Sequence, residues 1–114
     1  MTSGLKTVIY PVRDLAQEKT LYGRLFGVAP AMDEPYHVGF NVGDQDVGLD
    51  PHGHSKGMTE SITYWHVDDI EQRLALLLDA GAEAHQAITD VGGGKLIASV
   101  EDADGNITGL LQPA

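Results

Sequence analysis

Cysteine is absent from the 114 residues, which removes disulfides, thiolate nucleophiles, thiolate zinc sites and iron–sulfur clusters at once. Redox compartment is left open by that absence. Basic residues are scarce: 7 Lys and Arg stand against 17 Asp and Glu, a formal net charge of −10 with neutral His. A field of that sign repels phosphate backbones, so nucleic acid is not an expected partner. It attracts a small cationic ligand, although the same carboxylates also serve to keep a small protein soluble. Long apolar runs are missing too. The longest, Leu74 to Leu78, is far short of the ~20 residues of a membrane span. The opening Met1-Thr2-Ser3-Gly4 has no apolar secretory core, so no membrane partner and a cytoplasmic location are expected.

What is present is enough for one core. Leu, Ile, Val and Phe make up about a quarter of the chain, above the roughly one-fifth of disordered sequences. A single domain over residues 1–114 is expected.

The chain says one thing twice. Thr7-Val8-Ile9-Tyr10-Pro11-Val12-Arg13-Asp14-Leu15 is answered 55 residues later by Ile62-Thr63-Tyr64-Trp65-His66-Val67-Asp68-Asp69-Ile70. Each reads as a strand running into a helix cap. Asp14 and Asp69 can cap, and Gln17 and Gln72 three residues on complete a capping box. The first helix carries Leu21, Tyr22, Leu25 and Phe26 as its apolar face and stops at Gly27; the second carries Ile70, Leu74, Leu77 and Leu78 and stops at Gly81. Three extended stretches follow each helix: about 28–33, 36–42 and 46–49, then 82–89, 95–100 and 106–112. Gly43-Asp44-Gln45 and Asp102-Ala103-Asp104-Gly105 read as hairpin turns, and Gly92-Gly93-Gly94 as a mobile connection. The fold class is therefore α+β: two βαβββ repeats, about 5–55 and 60–114, packed as a pair with helices outside. A ferredoxin-like βαββαβ sandwich fits the strand count less well.

The residues resemble a known family on three motifs in order. These are Val12-Arg13-Asp14-Leu15 before a helix ending Leu25-Phe26-Gly27, Val67-Asp68-Asp69-Ile70 before a helix ending Ala80-Gly81-Ala82, and Asp102-Ala103-Asp104-Gly105-Asn106 before the last strand. On these the chain resembles the vicinal oxygen chelate superfamily, which includes glyoxalase I, bleomycin-resistance proteins, extradiol dioxygenases and fosfomycin-resistance enzymes. The resemblance implies paired βαβββ modules whose sheets curve into a partial barrel around a cavity, commonly in a homodimer. It also implies a divalent metal held by a His or Gln on the first strand of a module and a Glu on the last.

Those positions fall here on Thr7 and Ile62, seven residues before Asp14 and Asp69, and on Gly48 and Gly109 in the last strands. None supplies the imidazole, carboxylate or other oxygen donor set that such ions require. A slip of one residue brings Lys6, Val8, Ser61 or Thr63 to the first-strand positions and restores no ligand set. No metal or other cofactor is expected.

Strand alternation places Thr7, Ile9 and Pro11 on the cavity face of the first module, and Ile62, Tyr64 and His66 on that of the second. Gly48 and Gly109 are expected to open space for an apolar or aromatic ligand, or else to mark a bend or bulge. His66 is the candidate acid or base, with Tyr64 a hydrogen-bond donor on the same face. Asp50-Pro51-His52-Gly53-His54 reads as a turn and a lid over the cavity mouth, with metal binding by its imidazoles a lesser reading. His37 and His85 have no partner identifiable from sequence.

Two function classes follow. One is a metal-free module that binds a small cationic or aromatic compound, an antibiotic or metabolite, through Thr7, Ile9, Gly48, Asp50, His52, Ile62, Tyr64, His66 and Gly109. The other is a glyoxalase-like lyase or isomerase that uses His66 and Asp50 for proton transfer, or recruits a cation through the loop imidazoles. Binding is favoured, with a homodimer covering open sheet edges.

Overall fold

The computed structural model describes residues 2–114; Met1, the first residue of the Met1-Thr2-Ser3-Gly4 opening considered above, lies outside the described residues. The elements run β1 (Thr2–Pro11), α1 (Leu15–Phe26), β2 (Met32–Glu34), β3 (His37–Val42), β4 (Gln45–Asp50), β5 (Ile62–Val67), α2 (Ile70–Asp79), β6 (Glu83–Asp90), β7 (Leu96–Glu101) and β8 (Ile107–Gln112). This is the βαβββ order twice, an α+β architecture. The chain divides into two compact units: residues 6–62, here the first unit, and residues 2–5 with 63–114, the second. The N-terminal residues of β1 thus belong with the second unit. The Thr2 hydroxyl donates to the His66 carbonyl at 2.7 Å.

In the first unit, β2 is antiparallel to β3, β3 antiparallel to β4, and β4 parallel to β1. In the second, β6 is antiparallel to β7, β7 antiparallel to β8, and β8 parallel to β5. A parallel pair requires a crossover rather than a hairpin, and in each unit the helix and two intervening strands supply it.

Both helices start where the carboxylates were expected to cap them. Asp14 accepts from the Gln17 backbone N–H at 3.0 Å and Asp69 from that of Gln72 at 3.2 Å, each satisfying an orphan donor of the first turn. In α2 a further donor, the Ile70 N–H, is met by the Gln112 side-chain oxygen at 2.9 Å. Gly27 closes α1 in the left-handed conformation with φ 69°, where any other residue would be strained.

The buried faces differ from the expected stripes. In α1, Leu15, Tyr22 and Phe26 pack against Val12, Val38, Phe40, Val47 and Leu49, while Leu21 and Leu25 face outward, Leu25 with 71% of its surface exposed. In α2, Ile70, Leu74 and Leu77 pack against Val67, Ala98 and Leu110, and Leu78 is exposed. A single residue of offset turns a helix position by about 100°, so neighbouring leucines in one run end on different faces. The first core is aromatic: Tyr10 stacks on Tyr22 with centroids 5.1 Å apart, Tyr22 meets Phe26 at 5.7 Å, and Phe26 meets Phe40 edge-on at 5.3 Å. The second core is aliphatic.

Candidate functional site

Each unit carries an inner row of side chains built across its parallel strand pair. In the first unit, Thr7 is buried and Ile9 half-buried on β1. Ile9 lies opposite Gly48 of β4, and Gly48 opposite Gly39 of β3. The expected opening over Gly48 is filled. A Cβ added there would lie 2.6 Å from Ile9 Cδ1 and 2.7 Å from His37 Cε1, closer than van der Waals contact permits. The His37 ring also lies over Gly39, with Nε2 3.4 Å from where that Cβ would sit. The two glycines thus form a shallow seat for an imidazole, the role glycine takes where another group approaches the backbone closely. His37 is a candidate that sequence reading passed over; the glycines facing each other across β3 and β4 were the available signal.

The second unit repeats the device with a different side chain. Tyr64 of β5 lies opposite Gly109 of β8, and Gly109 opposite Ser99 of β7. The Tyr64 ring covers Gly109, with Cε1 2.7 Å and the Thr63 carbonyl oxygen 2.8 Å from an added Cβ. The space expected there is therefore aromatic surface. Ser99 is fully buried, and its hydroxyl shares a hydrogen bond of 2.8 Å with Nδ1 of His85 on β6. His85 thus has a partner after all, while the rest of its ring reaches solvent. His66 is half-buried beside Leu111 of β8, and Ile62 is buried.

The loop after β4 is built as a packed turn rather than a free lid. Asp50 uses both carboxylate oxygens, one accepting from the His52 backbone N–H at 2.8 Å and the other from Lys56 Nζ at 2.9 Å. Each oxygen thus carries one hydrogen bond and keeps a further lone pair. His52 is exposed, whereas His54 is partly covered with Nδ1 buried. Gly53 is pressed against Pro11, whose Cβ would be 2.6 Å from an added side chain, and against Met58.

The donor set does not fit the superfamily's divalent ion. Thr7 and Ile62 offer no imidazole or amide, and the two glycines offer no carboxylate. Their chain neighbours Val47, Leu49, Thr108 and Leu110 add none, so a one-residue slip on the last strands changes nothing. Among the described residues no three His, Asp or Glu gather in a group able to hold a metal. The first row sets the half-buried Ile9 beside the His37 imidazole, and the second sets the buried Tyr64 beside the half-buried His66, with His85 exposed on β6. Each row by itself offers an apolar or aromatic side chain next to an imidazole able to exchange hydrogen bonds with polar substituents.

The family model for the glyoxalase/bleomycin resistance protein/dioxygenase superfamily matches residues 4–109. The chain belongs to that superfamily. A search of curated proteins returns no match. Among solved structures, the chain is similar to methylmalonyl-CoA epimerase from Mycobacterium tuberculosis, at 16% identity and a TM-score of 0.74 over 99% of this chain and 89% of that one. It is also similar to a superfamily member from Vibrio splendidus 12B01, at 17% identity and a TM-score of 0.70 over 95% and 97%. A third is the Mn(II)-bound glyoxalase from Novosphingobium aromaticivorans, at 17% identity and 0.72, covering 97% of this chain and 39% of that one. At these identities the likeness shows the fold, and function rests on the residues of the site.

Proposed function

We propose that this superfamily member is a metal-independent small-molecule-binding protein. The single observation that carries the reading is the occupancy of the four inherited ligand positions by Thr7, Gly48, Ile62 and Gly109, with the places of the two carboxylates taken by His37 and Ile9 in one unit and by Tyr64 in the other. Taken unit by unit, Thr7, Ile9, Asp50, His52 and Ile62 are the proposed ligand contacts of the first and Tyr64 and His66 those of the second, while Gly48 and Gly109 lie beneath His37 and Ile9 and beneath Tyr64 and back those contacts. His37 and His85 join them as hydrogen-bonding edges. The excess of carboxylates favours a cationic ligand and the apolar and aromatic side chains an aromatic one, and a homodimer is the proposed assembly.

The test is thermal melting with and without nickel, manganese or zinc. A ligand that binds only the folded state raises the melting temperature by mass action. The reading expects no shift with any of the three ions; a saturable rise with one of them overturns it.

A second reading, a metal-independent lyase or isomerase, is favoured by one observation: Ser99 fixes the His85 ring through Nδ1, an arrangement that orients Nε2 for proton exchange. In that reading His66 or His85 is the acid or base. Either His66→Asn or His85→Asn, whichever removes that group, would abolish turnover, and intact turnover in both variants removes the reading.

A further inference from the structure

On the other face of β5, away from the Tyr64 row, the second unit contains a groove of about 330 Å³ lined by Thr2, Trp65, Val67, Arg73, Leu76, Leu77, Thr108 and Leu110. Its floor is the Trp65 and Leu110 pair, which face each other in register across β5 and β8, and its wall is the exposed side of α2. The volume lies at the small end of ligand pockets. Trp65, with 40% of its surface exposed, presents indole ring to the opening. A buried tryptophan would bring its bulk into the core, so an exposed one beside Leu76, also exposed, is unspent apolar area.

Charge specifies the ligand further. Arg73 is the one ionisable group in the lining, in a chain with a net charge of −10. Its Nε is buried and has no hydrogen-bond partner among the described residues. A buried N–H donor without an acceptor is a standing cost that an incoming acceptor removes. The guanidinium charge acts on Asp68, which is not part of the lining. At physiological ionic strength the Debye length is about 8 Å, so distant carboxylates weigh less on an anion in the groove than Arg73 does. Guanidinium forks match carboxylates in planar geometry, and indole favours an aromatic body by offset stacking.

We infer that the groove between α2 and strands β5 and β8 is a binding site for a small aromatic carboxylate, its ring on Trp65 and Leu76 and its carboxylate on Arg73. The site is independent of the metal-free faces proposed above, so either reading can fail alone.

Trp65 is the only tryptophan in the chain, and its emission therefore reports on the groove directly. The experiment titrates the full-length protein with 4-phenylbutyrate and with its uncharged amide, following Trp65 emission. The acid is expected to change emission saturably and to bind about tenfold more tightly than the amide. Arg73→Gln is expected to bring acid and amide within about twofold of each other, with circular dichroism showing the fold retained. Should that variant fail to fold, Arg73→Lys, which keeps charge but loses the Nε donor, is expected to narrow the preference without removing it. No saturable response, equal binding of acid and amide, or a preference that survives Arg73→Gln overturns the inference. So does an emission change that depends on protein concentration alone, which would assign the groove to a second copy of the chain.

Discussion

The two units solve the same packing problem with different chemistry. The first fills the space between helix and sheet with a chain of contacting rings from Tyr10, Tyr22, Phe26 and Phe40. The second uses Val67, Ile70, Leu74, Leu77 and Leu110 and leaves Trp65 on the rim. On the inner face the first covers its glycine with an imidazole and an aliphatic tip, and the second with a phenol ring. The backbone plan therefore constrains which positions are filled and how closely, while the identity of the filler is free. Glycine on one strand is matched by a larger side chain on a neighbour, Ile9 and His37 over Gly48 and Tyr64 over Gly109, in keeping with the tolerance of cores for exchange of side chains where volume is kept.

The largest effects should come from emptying the two cores. Phe40→Ala removes a ring with 1% of its surface exposed and should cost about 3–5 kcal/mol in denaturant unfolding. Leu110→Ala should fall nearer the low end of the roughly 2–5 kcal/mol range for such changes, because the groove beside it gives the site room to relax. A larger loss at Leu110 would break the contrast between a closed and an open core.

The glycines come next. Gly109→Ala would press on the Tyr64 ring and on a backbone carbonyl, whereas Gly48→Ala would meet the movable ends of Ile9 and His37. Overpacking costs about 1–3 kcal/mol, so Gly109→Ala should sit high in that range and Gly48→Ala low. Equal melting temperatures would show that both covers yield alike.

Much of this was legible beforehand. The repeat is written in two like motifs 55 residues apart, the caps at Asp14 and Asp69 each serve a backbone N–H three residues on, and the Gly27 stop closes on the Gly23 carbonyl four residues back. The outward turn of Leu21 and Leu25 was not, because the sheet beneath α1 selects among adjacent apolar stripes. His85 was hidden by irregular pairing between β6 and β7 around Ala84 and Gln86, which upsets the alternation that assigns faces. The cover over Gly48 and Gly109 was misread as space because register partners on other strands fill it, and a single strand does not reveal them. Packing of Gly53 on Pro11 hid the fixed character of the 50–58 loop in the same way.

Caps should show a smaller difference. Asp14→Ala and Asp69→Ala should each cost about 1 kcal/mol, but α2 keeps the bond from Ile70 to Gln112. Hydrogen exchange should therefore quicken more in the first turn of α1 than in that of α2.

The smallest effects are in pH. In the first unit, burial, then Tyr10 and Glu18, hold the Tyr22 hydroxyl above its usual 10.0. Its contribution is present below that value and is lost as pH rises through the folded one, so Tyr22→Phe should flatten the alkaline limb of the stability curve. In the second unit, hydrogen bonds from the Asn106 side chain and then its backbone N–H, against opposing desolvation and with a smaller bond from the Asp104 N–H, hold Asp102 below its usual 3.8. That contribution is present above 3.8 and is lost as pH falls through the lower folded value. Asp102→Ala should melt below the wild type at neutral pH and converge with it in strong acid.

The central claim is that this member of a metal-using superfamily does not use the ion. Elemental analysis by inductively coupled plasma mass spectrometry tests it most directly, on protein grown with manganese, nickel and zinc supplied and purified without chelator. The account predicts no transition metal in stoichiometric amount; one tightly held ion per chain, retained through gel filtration, contradicts it.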